Sequence, residues 1–479
     1  MKKIYINILL LAFAGVTTLS SCNDFLDVQP AGQLEQDVQF NDIRGFRDAM
    51  YGIYGKMASK ELYGANLSYG FVDQLGQMFG YDNVESTSYY ISRYSYTRDD
   101  VKTLINTVWG EQYATIADLN NILIHIDNAK FSHEELNYMK GECLGLRAFL
   151  HFDLSRLYCE DYAKSDATTR GLPYSTTFDL KNKTLYSLHD TYKQILKDLD
   201  EAEALLANDN TVEVEKTATS NYLAGRAVFF NKYAVLATKA RVYYAMRNYE
   251  KAAEYAKKIV ESDNFKLEKL TTMSDMRRFP ANGEVIFGLY NTQLSNDISS
   301  IFLSQKARGN FMEGRRDLAE LYESSKFTGT VFDIRYSGFY QMNASENTAS
   351  FVRFIASDAE VTSSPLQGLT LIRLPEMYYI LSESLYGSNP NEAKMYLNKV
   401  RESRHLDSVE DTKVADKVKF EQEMLRERMR EMPGEGQVFY ALKHYGRGFT
   451  DFRGMTNYDP ATGIMVLPWP DRELEYGNK

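Results

Sequence analysis

Six charged residues in the last quarter of the chain could in principle carry chemistry: Arg373, Glu376, Arg401, Glu427, Arg428 and Glu431. Glycoside hydrolysis needs two carboxyl groups flanking one bond. A chain with 65 acidic residues leaves that chemistry open by count alone, and nothing singles out a pair. The plainer reading is structural. These residues lie within or beside amphipathic helical stretches, where charges three and four apart pair along a helix or bridge to its neighbours. The six histidines (125, 133, 151, 189, 405, 444) contain no HExxH and no spacing that suits a metal. His133 before Glu134 and Glu135 reads as a helix start, and His151 as a packed helical residue. There is no GxSxG elbow, no phosphate-binding loop and no dinucleotide glycine fingerprint. Gly434-Glu435-Gly436 lacks the preceding strand such a fingerprint needs. No catalytic group, metal or cofactor is predicted.

A second set of residues suits binding. Between Tyr63 and Tyr96 lie seven tyrosines, interleaved with Gly, Asn and Ser. Sugars carry apolar C–H faces and polar rims, so proteins grip them with flat rings plus amide or guanidinium donors. Tyr69, Tyr81, Asn83, Tyr89, Tyr90 and Arg93 offer that mix. Tyr290 and Asn291, in a later irregular block, are a second choice. The plainer alternative is that most of these rings pack the loop onto its frame, leaving two or three to face ligand. The chain has 35 Tyr, 26 Phe and only 2 Trp, Trp109 and Trp469. That composition points away from a broad polysaccharide platform and towards an oligosaccharide or a peptide.

The amino end indicates where such a surface works. Met1-Lys2-Lys3 is basic, residues 4–19 are mostly apolar, and Leu19-Ser20-Ser21 precedes Cys22. That order is an export leader. Tyr5 and Asn7 interrupt the apolar stretch, which is too short to span a bilayer. Small residues before a cysteine suggest lipidation of Cys22 after removal of residues 1–21. Each buried acyl methylene contributes roughly 0.8 kcal/mol, so several chains, palmitate among them, anchor a protein firmly. The alternative is an ordinary secretory leader with a coincidental cysteine. The net charge of −10, with basic residues dispersed, argues against nucleic acid. Cys143 and Cys159 fall in one predicted helix, roughly 24 Å apart at about 1.5 Å per residue. They are expected as free, buried thiols.

The positioning elements follow from periodicity. An extended arm is expected over 22–40, then a helix from Asn41 to Ser59. Residues 60–98 form a structured loop excursion. Helices follow from Val101 and over Glu134–Tyr162, the second with Ser132 as N-cap before Glu135. A short extended piece at Gly171–Pro173 precedes a helix over Leu188–Ala207. Residues 226–262 have tetratricopeptide spacing, with Ala240 and Ala252 small enough for two helices to approach closely. Residues 371–405 repeat that theme, with Asn389 as N-cap and Pro390 at the first helical position. A further helix covers Lys417–Met432. The expected fold is mostly α: a tetratricopeptide-like scaffold of helical hairpins with a loop-rich inserted subdomain. Its parts are an N-terminal helical part at 41–263, an insertion at 264–370, and C-terminal hairpins with a tail at 371–479.

An ordered set of segments resembles the SusD/RagB family. Cys22-Asn23-Asp24-Phe25-Leu26-Asp27 is similar to its start after lipidation. Trp109 to Asn120, Leu146 to Leu154 and Gly171-Leu172-Pro173 follow in the family's order. So do Leu371 to Glu376, Leu397 to Arg401, and Glu427-Arg428 with Glu431, Glu435 and Gly436. Leu467-Pro468-Trp469-Pro470 with Glu473 resembles the closing segment. Pro375 and the Met432-Pro433-Gly434 break depart from the pattern, and Pro375 requires its helix to begin close by. The resemblance implies a non-enzymatic, lipid-anchored nutrient-binding protein of the Bacteroidetes outer membrane, facing the exterior. Such a protein binds a glycan or oligosaccharide and delivers it to a TonB-dependent SusC-like transporter. It also implies ligand residues before the first helical repeat and in the insertion. The alternatives are a peptide-binding relative of the RagB branch and a surface glycoside hydrolase.

Overall fold

The computed structural model describes residues 39–81, 83–209, 222–269, 283–303, 312–324, 333–343, 348–355 and 367–477. The expected leader, Cys22 and the expected arm up to residue 38 lie outside the described residues. Helix α1 (Ile43–Met57) begins where the Asp42 carboxylate accepts the N–H groups of Arg44 and Gly45. Its buried face is Phe46, Met50, Ile53, Tyr54 and Met57, as the spacing predicts. The excursion is ordered as α2 (Phe71–Leu75), β1 (Phe79–Tyr81) and α3 (Thr87–Ser92).

Two long helices follow, α4 (Asp99–Asp127) and α5 (Glu134–Tyr158). α5 begins at Glu134 as expected, but its cap and its far end differ from expectation. His133, not Ser132, is the N-cap, its Nδ1 accepting from the Glu135 N–H at 3.3 Å. The helix stops at Tyr158 because a residue far along the chain finishes it. The Lys443 ammonium donates to the carbonyls of Arg156 and Cys159, groups that a longer helix would have bonded itself. Most of α5 is buried on every side. A Cβ on Gly145 would collide with the Phe230 ring, so glycine lets that ring press on the helix backbone. Cys143 and Cys159 are free and buried, and burial pushes both thiols up, Cys159 to about 12.

β2 (Arg170–Pro173) pairs with β3 (Leu185–Ser187), which runs into α6 (Leu188–Leu205). Asn231 and Asn248 cap the hairpin of α7 (Lys232–Ala245) and α8 (Tyr249–Val260). The insertion has more order than its composition suggests: β4 (Val285–Tyr290), α9 (Leu294–Phe302), β5 (Met312–Gly314), α10 (Leu318–Leu321), α11 (Ile334–Phe339), β6 (Tyr340–Asn343) and β7 (Thr348–Phe351). β8 (Gly368–Arg373) pairs with β4, so the start of the expected second hairpin is a strand. Its helices are α12 (Leu374–Leu385), with Pro375 in the first turn, and α13 (Pro390–Ser403), capped by Asn389. The chain closes with α14 (Lys417–Glu431), α15 (Gln437–Tyr445), β9 (Phe449–Thr450), β10 (Asn457–Tyr458) and α16 (Asp471–Tyr476).

The fold is mostly α, and every sheet among the described residues is a two-stranded antiparallel ladder. Hairpin α7–α8 stacks on α12, which packs on α13, so repeats bury each other's faces. One ladder joins distant parts of the chain. β1 of the excursion pairs with β5 of the insertion, Phe79 opposite Gly314 and Tyr81 opposite Met312.

The charged residues weighed for catalysis are held in buried ion pairs. Glu431 accepts from Arg335 at 2.8 Å, Arg373 at 2.8 Å and Arg404 at 2.9 Å, all fully buried. Glu427 accepts from Arg401 at 2.6 Å and from Arg430. Against the upward push of burial, Arg430, Arg335 and Arg401 hold the Glu427 carboxyl at about 2. Arg404, Arg373 and Arg335 hold Glu431 well below the usual carboxylate range. Glu376 takes Arg241, and Arg428 takes Glu383. A buried charge tolerates burial only when paired in this way.

Candidate functional site

Strand β1, helix α3 and the turn before β10 bring three tyrosines and several arginines together. Ser86 Oγ caps α3 by accepting the Tyr89 N–H at 3.1 Å, which sets Tyr89 and Tyr90 on the first turn. The Tyr89 ring meets Tyr81 edge-on at 4.8 Å and Tyr90 edge-on at 5.1 Å. Arg93 lies 5.1 Å over Tyr89, and Arg98 lies 4.3 Å over Tyr90. Arg453 lies 4.3 Å over Tyr81 and donates to its carbonyl at 3.0 Å. The ladder supports this group from below. A Cβ on Gly80 would enter the Phe452 ring, so only glycine allows β1 to seat against the turn carrying Arg453. Opposite Gly80, the buried Glu313 faces Arg316 at 3.3 Å and Arg453 at 3.5 Å. Burial raises the Glu313 pKa against the pull of these guanidiniums.

The predicted residues separate into three groups. Tyr89, Tyr90 and Arg93 form one contact group, and Asn83 lies just ahead of the Ser86 cap, whose Oγ donates to the Asn83 carbonyl. Asn83 and Arg93 are exposed, and both rings are half-buried. Among the described residues, the Asn83 amide, the Tyr89 and Tyr90 hydroxyls and the Arg93 guanidinium have no hydrogen-bond or carboxylate partner. Tyr81 belongs to the same cluster but is 7% exposed, its ring sandwiched by Arg453, Tyr89 and Phe452. It supports rather than presents. Tyr69 is a correction. It has no exposed surface, its hydroxyl has no partner, and burial pushes that hydroxyl's pKa far up. A ring enclosed on all sides offers no face to a sugar. Tyr290 and Asn291 form the third group. Tyr290 ends β4 with its ring edge-on to Phe229 at 6.1 Å. Asn291 Oδ1 accepts the Gln293 N–H at 2.9 Å, a local turn leading into α9. Their contacts do not overlap those of the Tyr89 cluster.

Sequence reasoning missed Arg98, Arg453 and Glu313. Arg453 stands in a Phe-Arg-Gly turn with Gly454 at φ 70°, a signal that the tail carries an ordered turn. Nothing in the sequence shows that the turn meets β1 across some 370 residues. Two tyrosine rings, each with a guanidinium over one face, stand beside an amide, and their hydroxyls have no partner among the described residues. Among the described residues, no three His, Cys, Asp or Glu side chains are grouped to hold a metal, and no helix is long and apolar enough to cross a membrane.

Two family models match the chain. One, described as starch-binding and associating with the outer membrane, matches residues 24–244. The other, of the SusD family, matches residues 337–464. The curated SusD-like protein P38 of Formosa agariphila is 24% identical, covering 92% of this chain and 91% of its own. A SusD superfamily crystal structure from Bacteroides thetaiotaomicron superposes with a TM-score of 0.73 at 19% identity, over 91% of this chain and 98% of that one. A SusD-like carbohydrate-binding protein from Bacteroides vulgatus gives 0.66 at 21%, over 85% and 84%. A laminarin-binding SusD-like protein gives 0.65 at 18%, over 91% and 98%. These structures share the fold.

Proposed function

The chain belongs to the SusD/RagB family, and from that premise we propose that it is a non-enzymatic glycan-capture protein of the outer-membrane surface. It binds an oligosaccharide on Tyr89 and Tyr90, with Asn83 and Arg93 supplying donors to the sugar's rim. Acyl chains on Cys22 hold it to the membrane, and it delivers cargo to a TonB-dependent SusC-like transporter. The observation that carries the binding reading is the set of unpartnered polar groups around two tyrosine rings. At the surface, groups without a protein partner are satisfied by water, which a ligand's hydroxyls can replace. A pyranose satisfies them while laying its C–H face on a ring. The carbohydrate-binding and laminarin-binding relatives support the same ligand class.

Isothermal titration against host, plant and microbial glycans tests the reading. A saturable signal lost in Tyr89→Ala supports it. Silence across the panel with capture of peptides from a digest transfers the function to peptide uptake. New reducing ends after incubation with any glycan would show a hydrolase instead. The anchor has its own test: Cys22→Ser should move the protein from the membrane fraction to the soluble one.

A further inference from the structure

A second polar concentration lies away from the tyrosine surface, enclosed among α5, α7, α12, α14 and α15. It is a cavity of about 70 Å³. One water needs roughly 10–15 Å³ of such space, so the cavity is large enough for about five waters or one small polyatomic ion. Five cationic side chains line it, Arg156, Arg241, Arg247, Arg428 and Lys443, against three carboxylates, Glu160, Asp161 and Glu376.

The guanidiniums are not used up by their ion pairs. Arg241 gives Nε and Nη2 to Glu376, at 2.7 and 2.5 Å, and is 4% exposed, yet its Nη1 has no partner. Arg428 gives Nη2 to Glu383 at 2.6 Å and is equally buried, yet its Nε has no partner. Arg156 is bonded to Asp153 and to Gln437, and its Nε is likewise left over. Aromatic rings occupy the guanidinium faces, Tyr440 at 3.7 Å from Arg156 and Tyr244 at 5.4 Å from Arg428. What remains is the N–H edge of each plane. Lys443 adds an ammonium that touches two carbonyls and no carboxylate. Burying donors without partners is costly, and all three belong to side chains that line this one cavity.

We propose that this cavity is a binding site for a small oxyanion, held by the free edges of Arg156, Arg241 and Arg428 with Lys443 as counter-charge. Planar N–H edges suit carboxylate, sulfate and phosphate oxygens. The anion is either a free inorganic ion or the acid group of a charged sugar entering past Arg247 and Tyr162, which are partly exposed at the rim. Burial together with the nearby Arg156 lowers the Lys443 pKa to about 8, which leaves it mostly an ammonium near neutral pH, and an anion beside it would raise that value. The site stands independently of the Tyr89 surface.

Titration of the full chain at fixed ionic strength with sodium sulfate, sodium glucuronate and glucose tests it. One-to-one binding of sulfate, with glucose silent, is expected. Binding of sulfate alone identifies a free ion as occupant, and comparable binding of glucuronate identifies a sugar acid. Arg247→Gln, at the rim, should weaken binding about tenfold with an unchanged circular dichroism spectrum, and Tyr89→Ala should leave it intact. Crystals soaked in selenate should show an anomalous peak between Arg156, Arg241 and Arg428. No anion binding, loss of anion binding in Tyr89→Ala, or selenate only at other positions would overturn the proposal.

Discussion

Beneath α14, six arginines (335, 353, 373, 401, 404 and 430) each have a carboxylate within 2.8 Å, out of contact with water. On the excursion, Arg93 has only a tyrosine ring beneath it and solvent around it. The residue type is the same, and the difference lies in who satisfies it. Where the protein supplies the partners, arginine fixes the relative placement of α11, α12, α13 and α14. Where the protein withholds them, arginine is left for something else. Residue identity alone therefore does not separate the buried frame from the exposed excursion, whereas the partners each arginine has do.

The contrast can be broken at its strongest point first. Glu431→Ala leaves Arg335, Arg373 and Arg404 without their common acceptor, and loss of one partner from such a cluster costs about 3–5 kcal/mol. Denaturant unfolding should show that loss, and a cost under about 1 kcal/mol would mean the cluster is not structural. Acid should act on the same region. The Glu427 carboxyl is at about 2 when folded against 4.5 ordinarily. A depressed folded value means the contribution is complete above about pH 4.5 and is lost as pH falls towards 2. Buried His151 is held near 3 by desolvation against 6.5, so it too favours unfolding as pH drops between those values. Thermal melts should fall steadily from about pH 6 downward, with no matching change in the ring contacts of the excursion.

At the surface the effects should be smaller and should move affinity, not stability. Tyr89→Ala or Tyr90→Ala should weaken glycan binding about tenfold, about 1.4 kcal/mol, with unfolding shifted by less than about 0.5 kcal/mol more than an ordinary surface change. Arg93→Ala should cost about threefold in affinity by the same titration. The smallest effect is expected at Tyr69. Tyr69→Phe removes a buried hydroxyl with no partner, so binding should stay unchanged and stability should hold or rise by up to about 1 kcal/mol. A loss of glycan affinity in Tyr69→Phe would return that ring to the site.

The helical frame was readable because its signals are local. The stripe from Phe46 to Met57, the Asn389-Pro390 cap and the alanines of α7 and α8 each announce themselves within a dozen residues. Misjudged ends had remote causes, as when Lys443 terminates α5 from nearly 300 residues away. The tyrosine excursion was readable as a region but not ring by ring. Tyr69 and Tyr90 have similar neighbours in sequence, and only the fold encloses one and leaves the other at the surface. Glu313 reaches the site through a three-residue ladder between β1 and β5, and Arg453 through the turn before β10; strands and turns that short carry no periodicity to detect.

The burial of α5 on all sides has a mechanical consequence. From Gly141 onward this shaft has almost no wet face, so it can neither roll nor slip along its axis without disrupting packing in every direction at once. The excursion therefore stands against a stationary axle, and movement there must come from the loops, or from the whole body swinging as one piece.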